Sequence, residues 1–155
     1  MIEPDSVLGM LGGGQLGRMF SLAAADMGYR VWVFDPNEQS PAGEVSCRHI
    51  QADYDDREAL QEFGEGSAVI TTEFENIPAE TLRYLQKFSK VCPNPDAVKI
   101  AQNRTREKTF VNDLGIPTSP FVQVNSLKDL EQSDHLKWPC ILKTAQFGYD
   151  GKGQQ

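Results

Sequence analysis

The sequence predicts an α/β fold with a doubly wound parallel sheet. Short runs rich in β-branched and aromatic residues alternate with helical patterns over the first 95 residues. Such alternation implies right-handed crossovers, with helices on both faces of one parallel sheet. A turn-rich break, "PNPD", then precedes a stretch of different charge. We therefore expect one domain over residues 1–95 and a second region over residues 96–155.

The first domain contains four predicted strands and three predicted helices. Gly28 ends the first helix and Pro78 precedes the third, as helix punctuation commonly does. The predicted strands are 6–11, 30–35, 68–74 and 90–94, and the predicted helices are 18–28, 55–66 and 79–88.

The second region begins with one long predicted helix, 95–115. Asn94 can cap it, Pro95 suits its first turn, and Gly115 stops it. Strands are predicted at 119–124 and 139–145, on either side of a short helix around residues 126–132.

Composition excludes several classes of protein. The formal net charge of −7 argues against a nucleic-acid binder, which needs cations to replace phosphate counterions. The sequence has no apolar run near the ~18 residues of a membrane span, and its start, "MIEPDSV", lacks the basic residues of a secretory signal. Three cysteines without metal-ligand spacing suit a reducing compartment, so we expect a cytoplasmic protein.

A G-x-G-x-x-G motif follows the first predicted strand. Gly12 permits a tight turn, Gly14 permits close approach to the backbone, and Gly17 permits helix-on-strand packing. The helix amides and dipole favour an anion there, and Asp35 follows the second strand, where dinucleotide folds place a ribose-binding acid. An NAD(P)-binding oxidoreductase domain is therefore one alternative, and a tight turn without a ligand is another. Against the first, the alternation stops near residue 95, before a second mononucleotide half.

Two carboxylates lie at the carboxyl end of the third predicted strand. Glu73 and Glu75 point the same way if the segment stays extended, and there they could hold an amine or sugar hydroxyls. A solvated acidic strand end is the competing interpretation.

Basic and glycine-rich features mark the second region. Arg104 and Lys108 share a helix face, Lys143 ends a strand, and Gly148–Gly153 can form a nest for phosphate oxygens. A solvated basic stripe, an ordinary strand end and a disordered tail are the respective alternatives. The loop is not a P-loop, because no G-K-[ST] opens a helix.

Taken together, these motifs resemble a known family. The stretches that carry the resemblance are "GGGQLGRM", "DPNEQSPAGEV", "ADYDD", "TTEFENIP", "AQNRTREKTF", "LGIPTSPF" and "GYDGKGQ". In order and spacing they resemble the amino-terminal part of the 5-(carboxyamino)imidazole ribonucleotide synthetases, which are ATP-grasp ligases of purine biosynthesis. The resemblance runs from Val7 to the last residue.

The resemblance implies a fold and a reaction. Residues 1–95 would be a pre-ATP-grasp domain that binds aminoimidazole ribonucleotide. Residues 96–155 would be a linker helix and the first part of an ATP-grasp domain. ATP would phosphorylate bicarbonate to carboxyphosphate, and the ribonucleotide amine would capture the carboxyl group. Magnesium would assist, and the family implies a homodimer.

The resemblance also implies residue roles. Gly14, Gln15 and Glu73 would bind the ribonucleotide, and catalysis would involve Tyr149, Asp150 and Lys152. The residues that would contact ATP are Arg104, Lys143, Gly148, Tyr149, Asp150, Gly151, Lys152, Gly153 and Gln154. No metal ligand is assigned in this chain, because the resemblance places the magnesium and adenine contacts beyond its last residue. The chain alone is accordingly expected not to turn over ATP. Phe147 stands where relatives often have a glycine or another small residue.

Overall fold

A computed structural model describes residues 1–131, 136, 139–148 and 153–155. The chain forms two compact units, Met1–Lys99 and Ile100–Gln155. The first unit contains the sheet. The second contains helices and, among its described residues, one isolated β-bridge between Lys143 and Gln154.

The first unit is built on a five-stranded parallel sheet with the order β3-β2-β1-β4-β5. Its strands are β1 Val7–Leu11, β2 Arg30–Phe34, β3 Arg48–Ile50, β4 Val69–Thr72 and β5 Lys90–Val91. The chain winds outward from β1 in one direction and then returns to β4 on its other side. The predicted doubly wound sheet is therefore confirmed, and its switch point lies between β1 and β4.

Helices cover both faces of this sheet. They are α1 Gln15–Asp26, α2 Arg57–Gly66, α3 Ala79–Leu85 and α4 Pro95–Ala101. Because successive strand residues face opposite ways, Leu11 and Phe34 pack with Leu60 of α2, while their neighbours Met10 and Val33 pack with Ala24 of α1. The two apolar layers bury most of β1 and β2 on both faces, as the central strands of a parallel sheet require.

The prediction of four strands was wrong by one. Arg48–Ile50 forms β3 and pairs with β2 through residues 32–34. This strand has three residues at the edge of the sheet, and only Ile50 is buried. A segment of three residues is too short to show a recognisable alternation of apolar and polar residues. It is a strand because it pairs with β2, which its sequence alone does not reveal.

The predicted helix 95–115 is two helices in the structure. Asn103 adopts an extended backbone (φ −130°, ψ 114°) between α4 and α5 Arg104–Asp113, and its side-chain oxygen accepts a hydrogen bond from the Arg106 amide. Asparagine favours such a cap over a helix interior, because its short side chain competes for backbone amides. The short helix predicted near Ser126 is confirmed as α6 Leu127–Glu131.

The two strands predicted in the second unit do not form. Residues 119–124 and 139–145 contain no strand in the structure, apart from the single bridge at Lys143. An apolar run becomes a strand only where a partner strand satisfies its backbone groups. Among the described residues, only 153–155 provides such a partner.

Within the described part of the chain, every helix is too short or too polar to cross a bilayer.

Candidate functional site

The ends of three strands meet at the carboxyl edge of the first unit. The amide of Gly12 donates to Phe34 O (3.0 Å), and that of Glu73 donates to Leu11 O (2.9 Å). These bonds place the glycine turn after β1 beside the segments that follow β2 and β4. Since this is also the switch point of the sheet, it is the expected ligand edge.

The glycines of the turn make room for neighbouring side chains. Gly12 has φ +96°, and a Cβ there would lie 2.9 Å from the Phe74 ring. A Cβ on Gly14 would lie 2.3 Å from Glu73 Oε1, and one on Gly17 would lie 2.8 Å from Glu73 Oε2. The spacing of Gly14 and Gly17 is thus explained by the close approach of a carboxylate from the same chain.

Glu73 occupies the start of α1. Gly14 is the N-cap residue of that helix, and its amide donates to Glu73 Oε2 at 2.5 Å. The positive end of the helix dipole favours a carboxylate there. The structure therefore brings Gly14 and Glu73 together, with Gln15 next to them as the exposed first residue of α1.

Asp35 is directed into the turn. Its Oδ2 accepts hydrogen bonds from the Gly13 amide (2.8 Å) and the Tyr54 hydroxyl (3.2 Å), while Oδ1 accepts from the Asn37 amide (2.8 Å). Burial and the adjacent Asp35 carboxylate raise the pKa of Tyr54 well above its usual value, so its hydroxyl remains a neutral donor. Asp35 therefore braces the turn, which differs from the ribose-binding role expected in a dinucleotide fold.

Ser40 is a site residue that sequence reasoning missed. Its side chain is 1% exposed. The hydroxyl donates to Gly13 O (2.9 Å) and accepts from the Gly43 amide (3.0 Å). Ser40 lies within "DPNEQSPAGEV", a stretch to which the sequence motifs assign no chemical role. The only sequence signal for this contact was a serine in a turn-rich stretch, and such serines are too common to identify a buried hydrogen bond.

The second acidic residue after β4 does not join Glu73 on an extended strand. The strand ends at Thr72, and the chain bends at residues 73–74 before a turn at 75–76. The condition for Glu73 and Glu75 to point the same way is therefore not met.

The chemistry of this edge follows from its charges. The amides of Gly13 and Gly14 are already bonded to the chain's own carboxylates. A ligand here meets acceptor oxygens of Glu73, and such oxygens suit hydroxyl or amine donors better than another anion.

In the second unit, backbone hydrogen bonds hold the base of the glycine-rich loop. Thr144 N donates to Gly153 O (2.8 Å), and Leu142 and Gln155 exchange two bonds of 2.8 and 2.9 Å. The side chain of Lys143 is exposed beside an open depression of about 430 Å³ that this ladder lines. The Arg104 amide donates to Ala145 O (2.8 Å). This bond places the start of α5 next to Ala145, which follows Lys143 by two positions in the sequence.

Lys108 does not act with Arg104 in this structure. Its ammonium donates to Ser119 O (2.9 Å) and Ser119 Oγ (2.8 Å) and lies 4.8 Å from the centre of the Phe121 ring. The hypothesis that both cations of this helix face reach for one anion is therefore not supported.

Part of the predicted phosphate loop lies outside the described residues, namely Tyr149, Asp150, Gly151 and Lys152. At its edges, Gly148, Gly153 and Gln154 are described, and Gly153 has φ +73°. Phe147 has φ +58°, a left-handed conformation that glycine adopts without strain. No group of three or more His, Cys, Asp or Glu side chains is arranged for a metal ion within the part that the structure describes.

Comparison with known proteins places this site in a family. The family described as "Ribonucleotide synthetase preATP-grasp domain" matches residues 6–102. The chain belongs to this family. Residues 109–155 in addition match the ATP-grasp domain family. The pre-ATP-grasp match includes every strand of the sheet and both carboxylates of the ligand edge, so it covers the whole of the site in the first unit.

The chain is similar to curated proteins over almost its whole length. The chain is 41% identical to N5-carboxyaminoimidazole ribonucleotide synthase of Bacillus subtilis (strain 168), with 99% of the chain and 41% of that relative aligned. It is 44% identical to the protein of the same name from Brucella melitensis, covering 99% of the chain and 42% of the relative. The chain thus spans about two fifths of the length of the curated relatives it matches.

Solved structures agree with the pre-ATP-grasp fold. The ADP complex of N5-carboxyaminoimidazole synthetase from Staphylococcus aureus gives a TM-score of 0.92 at 40% identity, over 99% of this chain and 41% of that one. The enzyme from Aspergillus clavatus in complex with ADP and 5-aminoimidazole ribonucleotide gives 0.83 at 28% identity, over 97% and 40%. These similarities confirm the family resemblance, and they do not support the NAD(P)-dependent oxidoreductase.

Proposed function

We propose that this chain takes part in the ATP-dependent carboxylation of aminoimidazole ribonucleotide by bicarbonate, giving 5-(carboxyamino)imidazole ribonucleotide for purine biosynthesis. The observation that carries the proposal is Glu73, a half-buried carboxylate held on the Gly14 amide at the switch point of the sheet. The Aspergillus clavatus relative was solved with 5-aminoimidazole ribonucleotide, a ligand that carries the hydroxyl and amine donors such a carboxylate accepts.

We assign residues 1–95 to substrate binding. Glu73 accepts hydrogen bonds from the ribonucleotide, while Gly14 holds the carboxylate in place. Gln15 is exposed at the start of α1, where its backbone amide lies in the first turn and has no acceptor within the helix. That amide and the side-chain amide of Gln15 supply donors for the ligand beside the acidic Glu73.

We assign residues 96–155 to the linker helix and the first part of the ATP-grasp domain. Arg104 and Lys143 neutralise phosphate charge, and Gly148–Gln154 cover the phosphates, with Tyr149, Asp150 and Lys152 next to the reacting groups. Support comes from the bond between Arg104 N and Ala145 O and from the paired base of the loop. Positioning and charge neutralisation are what phosphoryl transfer demands of a protein.

The proposed reaction has two steps. A bicarbonate oxygen takes the γ-phosphoryl group of ATP, which gives carboxyphosphate and ADP. In the second step the bond between the carboxyl carbon and the phosphate oxygen breaks to release carbon dioxide and phosphate, and the exocyclic amine captures the carbon dioxide by forming a carbon–nitrogen bond and losing one proton. The described residues contain no group of three or more candidate metal ligands. In this proposal the residues named above bind and orient the reactants. The homodimer implied by the resemblance and the cytoplasmic location expected from the cysteines remain parts of this proposal.

Binding of 5-aminoimidazole ribonucleotide to the chain tests the proposal. Titration followed by amide NMR shifts should perturb Gly14, Gln15 and Glu73, and Glu73→Gln should weaken binding roughly tenfold, because a charged acceptor is lost. Glu65→Gln is the matched control, since Glu65 is an exposed carboxylate near the end of α2. Unchanged binding by Glu73→Gln, or shifts confined to another surface, would contradict the proposal.

ATP binding is tested separately. Titration with a non-hydrolysable ATP analogue should perturb amides of residues 142–148 and 153–155, and Lys143→Met should weaken binding several-fold through the loss of one cation beside the phosphates. Lys128→Met, which removes an exposed lysine of α6, is the control. Equal effects of the two substitutions would show that Lys143 acts only through net charge.

A further inference from the structure

We propose that the connection from β2 to β3, residues 35–42, is a clamp that positions Glu73 for its ligand, with Ser40 as the positioning residue at its centre. Nothing in the family match assigns a role to Ser40. The inference about ligand affinity rests on the proposed function, whereas the inference about the geometry of Glu73 does not.

The clamp acts first on the peptide unit that joins Gly13 to Gly14. The carbonyl oxygen of this unit accepts hydrogen bonds from Ser40 Oγ and the Ala42 amide, each 2.9 Å long. Its N–H, on Gly14, donates to Glu73 Oε2. Because a peptide unit is planar, fixing the oxygen on one side fixes the direction of the N–H on the other. Ser40 and Ala42 therefore set the direction in which Gly14 presents its amide to Glu73.

The clamp acts second on the preceding peptide unit. The Gly13 amide donates to Asp35 Oδ2 (2.8 Å), and the same oxygen accepts from the hydroxyl of Tyr54 (3.2 Å). Asp35 is itself held by the Asn37 amide and by its position directly after β2. With both of its backbone groups bonded to the clamp, Gly13 is fixed at each end, although glycine is the residue with the greatest backbone freedom.

The hydroxyl of Ser40 is buried and makes two hydrogen bonds to the backbone. The residue is 1% exposed, and its oxygen also accepts the Gly43 amide (3.0 Å), so it joins two parts of the backbone. A Cβ on Gly13 would lie 2.0 Å from this oxygen, which shows how closely the turn and the clamp approach each other. Removing the hydroxyl leaves the Gly43 amide without its acceptor, and the Gly13 carbonyl is then held by the Ala42 amide alone.

The chain offers a matched control at the other end of the sheet. Ser67 is also buried, at 7% exposure, and its hydroxyl likewise donates to a backbone carbonyl, Phe63 O, at 2.7 Å. It follows α2 and precedes β4, on the edge opposite the glycine turn. Ser40→Ala and Ser67→Ala therefore each remove one buried serine hydroxyl, and only the first touches the clamp.

The test compares these two variants of the full chain by two readouts. The first is the amide proton shift and hydrogen-exchange protection of Gly14, measured without ligand. The second is the dissociation constant of 5-aminoimidazole ribonucleotide. Ser40→Ala should shift the Gly14 amide, lower its protection and weaken binding roughly three- to tenfold, as expected for one misdirected hydrogen-bonding group. Ser67→Ala should leave both readouts at their wild-type values.

Two results would overturn the inference. One is a Gly14 amide that keeps its wild-type shift and protection in Ser40→Ala. The other is an equal loss of affinity in both variants, which would mean that Ser40 matters only for stability. If Ser40→Ala does not fold, Asp35→Asn supplies the same two readouts, since it removes the charged acceptor of the Gly13 amide. Failure of the wild-type chain to bind the ribonucleotide would count against the proposed function alone, while the Gly14 amide would still decide the role of the clamp.

Discussion

At the residue scale, the glycine turn shows how one short motif serves two kinds of ligand. The same G-x-G-x-x-G spacing that lets a pyrophosphate approach a helix start here lets Glu73 approach, since a Cβ on Gly14 would overlap its carboxylate. Motif reasoning predicted a tight turn and the approach of an anionic ligand to Gly14 at the helix start, and in the structure the carboxylate of Glu73 takes that place. It could not show that the anion comes from the chain itself.

Phe147 provides a prediction at this scale. Its φ of +58° disfavours a residue with a Cβ, while the residue is 73% exposed and its ring gains little from burial. Phe147→Gly should therefore raise the free energy of unfolding by roughly 0.5–1 kcal/mol, after allowance for the extra freedom of glycine in the unfolded chain. Urea denaturation measures the change. Phe110→Gly, within α5, is the control and should lower stability by about 1 kcal/mol. A loss of stability in Phe147→Gly would mean that ring contacts outweigh the strain.

At the element scale, polar side chains determine where the helices begin. Asp56 caps α2 by accepting from the amides of Glu58 and Ala59, and Asn103 caps α5. The cap at Asn103 explains why a continuous helical pattern became two helices. Capping residues were visible in the sequence, but an interior asparagine and a capping asparagine look alike until the backbone direction is known.

The start of α6 gives a pH-dependent prediction. Asp129 accepts hydrogen bonds from the amides of Asn125 (2.8 Å) and Ser126 (3.0 Å), and Ser126 Oγ accepts from the Asp129 amide in return, which forms a capping box. The Asn125 amide, with a smaller contribution from Ser126, lowers the pKa of Asp129. A carboxyl with a lowered folded-state pKa stabilises the folded form above its unfolded pKa of about 4, and this stabilisation is lost as the pH falls.

We therefore expect acidification below about pH 4 to fray α6. The Asn125 and Ser126 amide shifts should follow the titration of Asp129 in NMR spectra, with a midpoint below that of a free aspartate. Asp129→Asn should abolish this dependence, whereas Glu131→Gln, in the same helix, should preserve it. A midpoint at the ordinary aspartate value would show that the capping box contributes nothing.

At the scale of the whole molecule, strand order decides where chemistry can occur. Placing β1 between β2 and β4 brings Asp35 and Glu73 to the same turn, although they lie far apart in the sequence. Neither residue is marked as a partner of the other by local spacing. Their meeting depends on the parallel pairing of Leu11 with Phe34 and of Leu11 with Thr72.

Tyr54 links this arrangement to the stability of the fold. Burial, followed by the Asp35 carboxylate, raises its pKa above the unfolded value of about 10. The stabilisation from the neutral hydroxyl is therefore complete below about pH 10 and is lost as the pH rises further, at up to about 1.4 kcal/mol per pH unit.

Urea unfolding between about pH 8 and 11 should show this loss in the wild-type chain and not in Tyr54→Phe. Tyr84→Phe, which removes a hydroxyl bonded to Arg57 O, is the control. Identical pH profiles for wild type and Tyr54→Phe would contradict the prediction.

The sequence by itself determined the parallel α/β sheet, the glycine turn, the helices α1–α3 and the family resemblance, because each rests on local periodicity or on motifs read in order. Only the tertiary structure decided that Arg48–Ile50 is a strand, that 119–124 and 139–145 are not, and that Asp35 and Ser40 face Gly13. The physical reason is that edge pairing and the direction of polar side chains depend on partners distant in the chain. Local pattern constrains backbone conformation, but a hydrogen bond between distant segments forms only where the fold places donor and acceptor together.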